Sequence, residues 1–137
     1  MEKPDFKGAL KEAGFKATPG RLQLLEALWK ESKPLTVIEI QKRLHHHLNE
    51  VTLYRALEAF AQAGIVRRAD FGHDHAHYEL AIGKVHHDHA VCTKCGVVED
   101  IEGCALVPLE KKALRQSNFR NIYSHNLEFF GLCKKCM

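Results

Sequence analysis

Along the first half of the chain, apolar residues recur at helical spacing between clear start and stop signals. Residues 7–13 read as a short helix that stops at Gly14. Thr18-Pro19 is a strong helix start, a hydroxyl cap followed by proline at the first helical position. Behind it, Leu22, Leu25, Leu28 and Trp29 mark one face. Thr36 and Glu39 form a capping-box pattern ahead of a third helix carrying Ile40 and Leu44. Asn49 or Glu50 opens a fourth helix with Leu53, Leu57 and Phe60 on one face, closed by Gly64. Two strand candidates follow, 65–70 and 77–80, around a polar turn containing Gly72. Helices followed by a hairpin are the order of a winged helix-turn-helix.

The pattern changes after residues 81–85, which read as a hinge. Strand-like segments at 90–92 and 97–101, an amphipathic helix around 109–114 and a last apolar strand at 126–132 predict a small mixed unit. About 50 residues are too few to hold such a unit together without a metal or a partner chain. The expected fold class is therefore α+β. Residues 1–80 are expected to form an N-terminal winged helix-turn-helix domain, and 86–137 a small α/β domain that needs a metal or a partner chain.

Composition adds little to this for the first half and much for the second. The chain has 137 residues, 45% of them hydrophobic and 27% charged, as in ordinary globular proteins. A net charge of +3 is too small to argue nucleic-acid binding, so any basic surface must come from local placement. The N-terminal stretch carries no signal-peptide pattern and no segment is long enough to span a membrane; a cytoplasmic protein is expected. Five cysteines and ten histidines are the unusual feature. In a reducing compartment they point to metal ligation rather than disulfides.

Cys92-Thr-Lys-Cys95 and Cys133-Lys-Lys-Cys136 are two Cys-x-x-Cys knuckles. Each lets one tight turn present two sulfurs to a tetrahedral ion, and together they complete a closed, structural Zn(2+) shell. Redox chemistry and rubredoxin-like iron are the weaker alternatives. Cys104 is left over and reads as a small buried hydrophobe.

His86-His87-Asp88-His89 runs directly into the first knuckle. On a strand, His87 and His89 share one face while His86 and Asp88 share the other, so two metal sites back to back would follow. Glu79, Asp100, Glu102, Glu110 and His125 are the donors that could complete them. Mixed nitrogen and oxygen ligands suit Fe(II), Mn(II), Zn(II) or Ni(II). His73, His75 and His77 lie on the hairpin, either at an exposed tip or as ligands. His45-His46-His47 reads as exposed and is assigned to no metal.

On the fourth helix, burial of Leu53, Leu57 and Phe60 leaves Thr52, Arg55 and an edge of Tyr54 outward near the N-terminus. A recognition helix enters the major groove with its N-terminal residues leading. Arginine pairs with phosphate or guanine, and a tyrosine ring packs on a thymine methyl. The alternative is that Tyr54 and Arg55 cover the core and solvate a face.

GFKATPGR, EVTLYRALEAFAQAGIV, HYEL, HHDHAVCTKCG and HNLEFFGLCKKC together resemble the ferric uptake regulator (Fur) family in order and spacing, over nearly the whole chain. The resemblance implies a homodimeric repressor that binds AT-rich palindromic double-stranded DNA when metal-loaded. It implies no catalysis and no small-molecule substrate. Tyr54 and Arg55 match recognition-helix contacts, and Lys16 a residue that reaches the minor groove. Cys92, Cys95, Cys133 and Cys136 match the structural zinc site. Glu79, His87, His89 and Asp100 match a regulatory metal site between the domains. His86, Asp88 and His125 match a second site whose usual helix carboxylate is displaced, with Glu102 or Glu110 as stand-ins.

The chain departs from the family pattern where a histidine of the DNA-binding domain commonly joins the regulatory site. Pro34 stands there, between Lys33 and Leu35, and proline cannot ligate a metal. His73, His75 or His77 is the expected replacement. One extra residue separates Glu79 from His86 relative to the common spacing. Zinc-sensing relatives often carry cysteine at the position of Glu79 and peroxide-sensing ones aspartate, so the resemblance tilts toward Fe(2+). Zinc-, manganese- and peroxide-responsive regulators are the alternatives. A metal-dependent hydrolase or dioxygenase on His87, His89 and a carboxylate would need an open coordination position and a pocket. Beyond the ligands themselves, the sequence offers no nucleophile or base pattern for one. A zinc-ribbon module without a DNA role would leave Tyr54 and Arg55 without a purpose.

Overall fold

Each helix of the N-terminal half begins at a side chain that satisfies an otherwise orphaned backbone amide. In the computed structural model, which describes residues 2–72, 75–83, 87–102, 107–122, 125 and 127–137, α1 spans Phe6–Glu12, and Asp5 accepts from the Gly8 amide at 3.1 Å. Helix α2, Pro19–Lys30, starts at Thr18, whose hydroxyl accepts from the Arg21 amide at 3.3 Å. Helix α3, Val37–Arg43, has both halves of the capping box: Glu39 N–H to Thr36 Oγ1 and Thr36 N–H to Glu39 Oε1, each 3.2 Å. Helix α4, Glu50–Gln62, is capped by Asn49, which accepts from the Thr52 amide at 2.8 Å. It ends in a Schellman turn: Ile65 N–H reaches Phe60 O at 2.9 Å and Gly64 N–H reaches Ala61 O at 3.2 Å. Gly64 takes the left-handed φ of 78° that this turn requires.

Strands β1, Val66–Ala69, and β2, His77–Leu80, form the antiparallel wing, with Arg67 opposite Glu79. Leu35 adds a third, one-residue strand by exchanging hydrogen bonds with Tyr78 at 2.8 and 2.7 Å. Tyr78 is fully buried, and its hydroxyl donates to Glu58 Oε1 at 2.6 Å, tying the wing to α4. Burial, reinforced by that carboxylate, pushes the Tyr78 pKa well above its usual range. Ala81 N–H still pairs with Ile65 O at 2.9 Å, so the wing ladder runs into the segment read as a hinge.

The sequence pattern is shifted in several places. Helix α1 begins one residue earlier than expected, because Phe6 is part of the core. Leu44 lies outside α3, as its C-cap. On α2 the fully buried positions are Leu24, Leu25 and Leu28, while Leu22 and Trp29 are only partly buried. Helix α2 packs against α1, α3 and β2, so its buried face is wider than one heptad-like stripe.

Contacts divide the chain into two units, Met1–Val85 and His86–Met137. In the second, β3 (Asp88–Cys92) lies between β4 (Val98–Ile101) and β5 (Glu128–Gly131), antiparallel to the first and parallel to the second. Helix α5 spans Val107–Gln116. Strand β3 starts two residues before the expected 90–92 segment and carries Asp88 and His89 into the sheet, while β5 is shorter than expected. Among the described residues of this unit, only Val91 and Cys92 are buried apolar side chains. Cys104 lies outside the described residues.

If α2 packs as described, Leu24→Ala should destabilise the N-terminal unit by about 2–5 kcal/mol in urea unfolding. Leu22→Ala should cost less than half as much. The reverse order would show that the helix is rotated from this position.

Candidate metal centres and nucleic-acid interface

The Cys-x-x-Cys turns are built from the backbone as much as from sulfur. After Cys92, Gly96 N–H closes the first knuckle onto Cys92 O at 2.9 Å, with Gly96 at a φ of 79°. Cys136 N–H closes the second onto Cys133 O at 3.0 Å. Thr93 N–H donates to Gly131 O at 2.8 Å, locking the end of β3 to the end of β5. The ligand atoms of Cys92, Cys95, Cys133 and Cys136 lie within 4.8 Å of one another. Sulfurs ~2.3 Å from one tetrahedral ion sit about 3.8 Å apart; Cys95 Sγ and Cys133 Sγ are 3.8 Å apart. Geometry and donor chemistry both fit zinc.

Cys92 Sγ accepts the amides of Cys95 at 3.5 Å and Cys133 at 3.4 Å. These two N–H groups, the Cys95 one first, hold its pKa down to about 6. Cys136 moves the other way, chiefly through its sulfur contact with Cys133. Crowded sulfurs cannot all ionise without a cation between them.

The alternation of β3 separates the remaining donors into two sets within the second unit. On one face, the rings of His87 and His89 meet edge to face at 5.0 Å between centroids. Both present Nε2 to Asp100 Oδ1, at 3.6 and 3.8 Å, because Asp100 pairs with His89 across β4. Ligand atoms ~2.1 Å from one ion lie about 3.0–3.5 Å apart, so small rotamer shifts would make this a two-imidazole, one-carboxylate set. His89 is fully buried, whereas the Asp100 side chain is 42% exposed.

On the other face, Asp88 Oδ1 lies 3.9 Å from His125 Nε2, and Glu110 Oε1 lies 2.5 Å from His125 Nδ1. One ion cannot touch both nitrogens of a ring. In this arrangement Glu110 therefore orients the imidazole, as carboxylates commonly do behind a ligating histidine, and leaves Nε2 facing Asp88. Glu102 is exposed. His86 and His73 lie outside the described residues.

The first unit holds the other expected residues. Glu79 is buried on β2, with Arg67 Nε 3.7 Å from its Oε1. Pro34 is buried beside the Leu35 bridge. His77 packs on the Phe71 ring at 4.8 Å, and His75 is exposed. Thr52, Tyr54 and Arg55 are exposed on the first two turns of α4, and Lys16 is exposed in the loop before α2. Val51, which the sequence reading passed over, is 59% exposed on the same turn. Its place four residues before Arg55 was the available signal. His45, His46 and His47 are exposed between α3 and α4, with the His46 backbone held by the Gln23 side chain at 3.3 and 3.5 Å. Among the described residues no helix is long and apolar enough to cross a membrane.

The architecture is thus a winged helix-turn-helix unit followed by a small α/β unit with a four-cysteine cluster fit for zinc. A model of the ferric uptake regulator family matches residues 12–130. The chain is 36% identical to the ferric uptake regulation protein of Neisseria gonorrhoeae, over 99% of this chain and 96% of that protein. Among solved structures, the fold is similar to the Vibrio cholerae ferric uptake regulator, at 33% identity and a TM-score of 0.70, covering 94% of this chain and 100% of that one. It is also similar to the Pseudomonas aeruginosa regulator solved with manganese, at 28% identity and a TM-score of 0.77, covering 96% and 99%. The chain belongs to the ferric uptake regulator family.

If the four sulfurs form one closed site, Cys133→Ser should cut tightly held zinc from about one per chain to near none. Atomic absorption after gel filtration checks this, and full zinc retention in the variant would break up the proposed ligand set.

Proposed function

We propose that this protein is a metal-dependent transcriptional repressor, iron-responsive, which binds AT-rich palindromic operators as a homodimer. The observation that carries this reading is the pairing of two features in one chain. A winged-helix unit exposes Thr52, Tyr54 and Arg55 at the leading end of α4, and a second unit gathers His87, His89 and Asp100 beside a four-cysteine cluster. In this reading residues 1–80 are the DNA-binding domain, 81–85 the hinge and 86–137 the metal-binding dimerisation domain.

Tyr54 and Arg55 enter the major groove, Thr52 supports them, and Lys16 reaches toward the minor groove. Cys92, Cys95, Cys133 and Cys136 hold the structural Zn(2+). Glu79 joins His87, His89 and Asp100 as the regulatory ligands, with a wing histidine in place of the one missing at Pro34. Asp88 and His125, with His86, form the second site. A divalent metal, when bound, supplies the positive centre that draws these donors into one fixed arrangement. The chain's own part is to convert that arrangement into one spacing of two recognition helices, since half-sites are read only when their separation suits the duplex.

Dimerisation is supported by the face the second unit leaves open. Phe129 and Phe130 are 50% and 53% exposed on β5, which among the described residues has a strand neighbour on one side only. Aromatic residues on an open edge invite pairing with a second copy. Iron is favoured by the family itself and by Glu79, where zinc-sensing relatives often carry cysteine. Manganese is the second reading, favoured by the Pseudomonas aeruginosa relative solved with that metal.

Anaerobic operator titrations by fluorescence anisotropy, with Fe(II), Mn(II) or Zn(II) added to zinc-replete protein, test the proposal. Affinity should rise with the effector metal, most with Fe(II). Arg55→Ala should weaken binding by about 1–3 kcal/mol and flatten the salt slope by ~1. Metal-independent binding would remove the regulatory half of the proposal, and a full salt slope in Arg55→Ala would remove its phosphate contact.

A further inference from the structure

A cavity of about 430 Å³ opens between α2 and α4 within the first unit. Its lining is mostly apolar, with the partly buried Phe15, Leu48, Ala56 and Ala59 laid over the core residues Leu24 and Phe60, and it also includes Arg21 and Arg55. Among the described residues no carboxylate lines it. The cavity persists because Gly20, Ala56 and Ala59 stand where larger side chains would close it.

The two guanidinium groups differ in what already holds them. Arg21 is half-buried, with Nη1 donating to Lys16 O at 2.8 Å and its guanidinium carbon 5.6 Å from the Phe15 ring centre. It is thus fixed in place with most of its donors still to offer. The Arg55 guanidinium has no hydrogen bond or ion pair among the described residues. A phosphodiester would use only the two guanidinium groups. The apolar lining adds nothing to phosphate binding, and the cavity's size and lining are those of pockets that take small molecules.

We propose that this cavity is a binding site for a small organic monocarboxylate with an aromatic or branched apolar body. The body packs on the apolar lining, and the carboxylate sits between Arg21 and Arg55, where charge-assisted bonds to a guanidinium are strongest. Occupancy ties up Arg55 and so opposes operator binding. Only this last step rests on the DNA contact proposed for Arg55.

The probe is 2-naphthoate, with 2-naphthamide and 2-naphthylmethylamine as neutral and cationic controls, added to the full zinc-loaded chain. Amide shifts in nitrogen–proton correlation spectra should cluster at Phe15, Thr18, Arg21, Thr52 and Ala59 for naphthoate, with naphthamide roughly tenfold weaker and the amine silent. Ala59→Leu should abolish the shifts while leaving operator affinity within about twofold. Should that variant fold poorly, Arg21→Gln gives the second reading: naphthoate weakens roughly tenfold and naphthamide does not change. Equal binding of naphthoate and naphthamide, shifts elsewhere, or none at all would overturn the site. These outcomes are read without DNA, so they stand even if the DNA reading fails. With operator present, naphthoate should raise the apparent Kd in step with its own occupancy. Binding that leaves operator affinity unchanged would overturn the regulatory half.

Discussion

Four sulfurs within 4.8 Å of one another form an arrangement that the second unit cannot hold by itself. Ionised, they repel; protonated, they offer weak hydrogen bonds in a unit with almost no apolar core among its described residues. A cation resolves this, and its binding energy is then folding energy. The staple has a definite mechanical result: it joins the turn after β3 to the turn after β5, which are remote in sequence. That closure favours the parallel pairing of β3 with β5, a pairing no short loop could supply. Once β3 is fixed, Asp88 and His89 must point to opposite faces, and each meets its own partner set. The two histidine and carboxylate groups are consequences of where the sulfurs hold one strand.

The first unit is stabilised differently. Its helices are capped by Asp5, Thr18, Thr36 and Asn49, and its core is a continuous cluster from Phe6 to Leu80. The Tyr78 hydroxyl and the Leu35 bridge fasten the wing to α4 and α3. Its stability thus rests on caps and an apolar core rather than on gathered sulfurs.

Much of this was legible in the sequence because the signals are local. Thr18-Pro19, the Thr36–Glu39 box and the two knuckles state their geometry within four residues, and the structure follows them. The Leu53, Leu57 and Phe60 face of α4 was equally plain, and with it the exposure of Thr52, Tyr54 and Arg55. What escaped depends on partners distant in sequence. The Leu24 face of α2 is set by three packed elements, and the early start of β3 at Asp88 by its pairing with β4 and β5. The roles of Glu110 and Glu102 could not be separated on spacing, because only the fold brings Glu110 to His125 Nδ1. The expectations placed on His73, His86 and Cys104 fall outside the described residues.

Thermodynamic linkage tests the central claim most directly. If the metal acts by favouring the DNA-binding arrangement, operator DNA must tighten the metal by the same factor by which the metal tightens DNA. The measurement is Mn(II) affinity of the zinc-replete protein, by competition with a fluorescent chelator, with and without saturating AT-rich palindromic duplex. The account predicts a higher metal affinity on the duplex, matching the anisotropy ratio and lost in His89→Ala. A metal affinity that is the same with and without DNA, in a protein whose DNA binding does respond to metal, would contradict it.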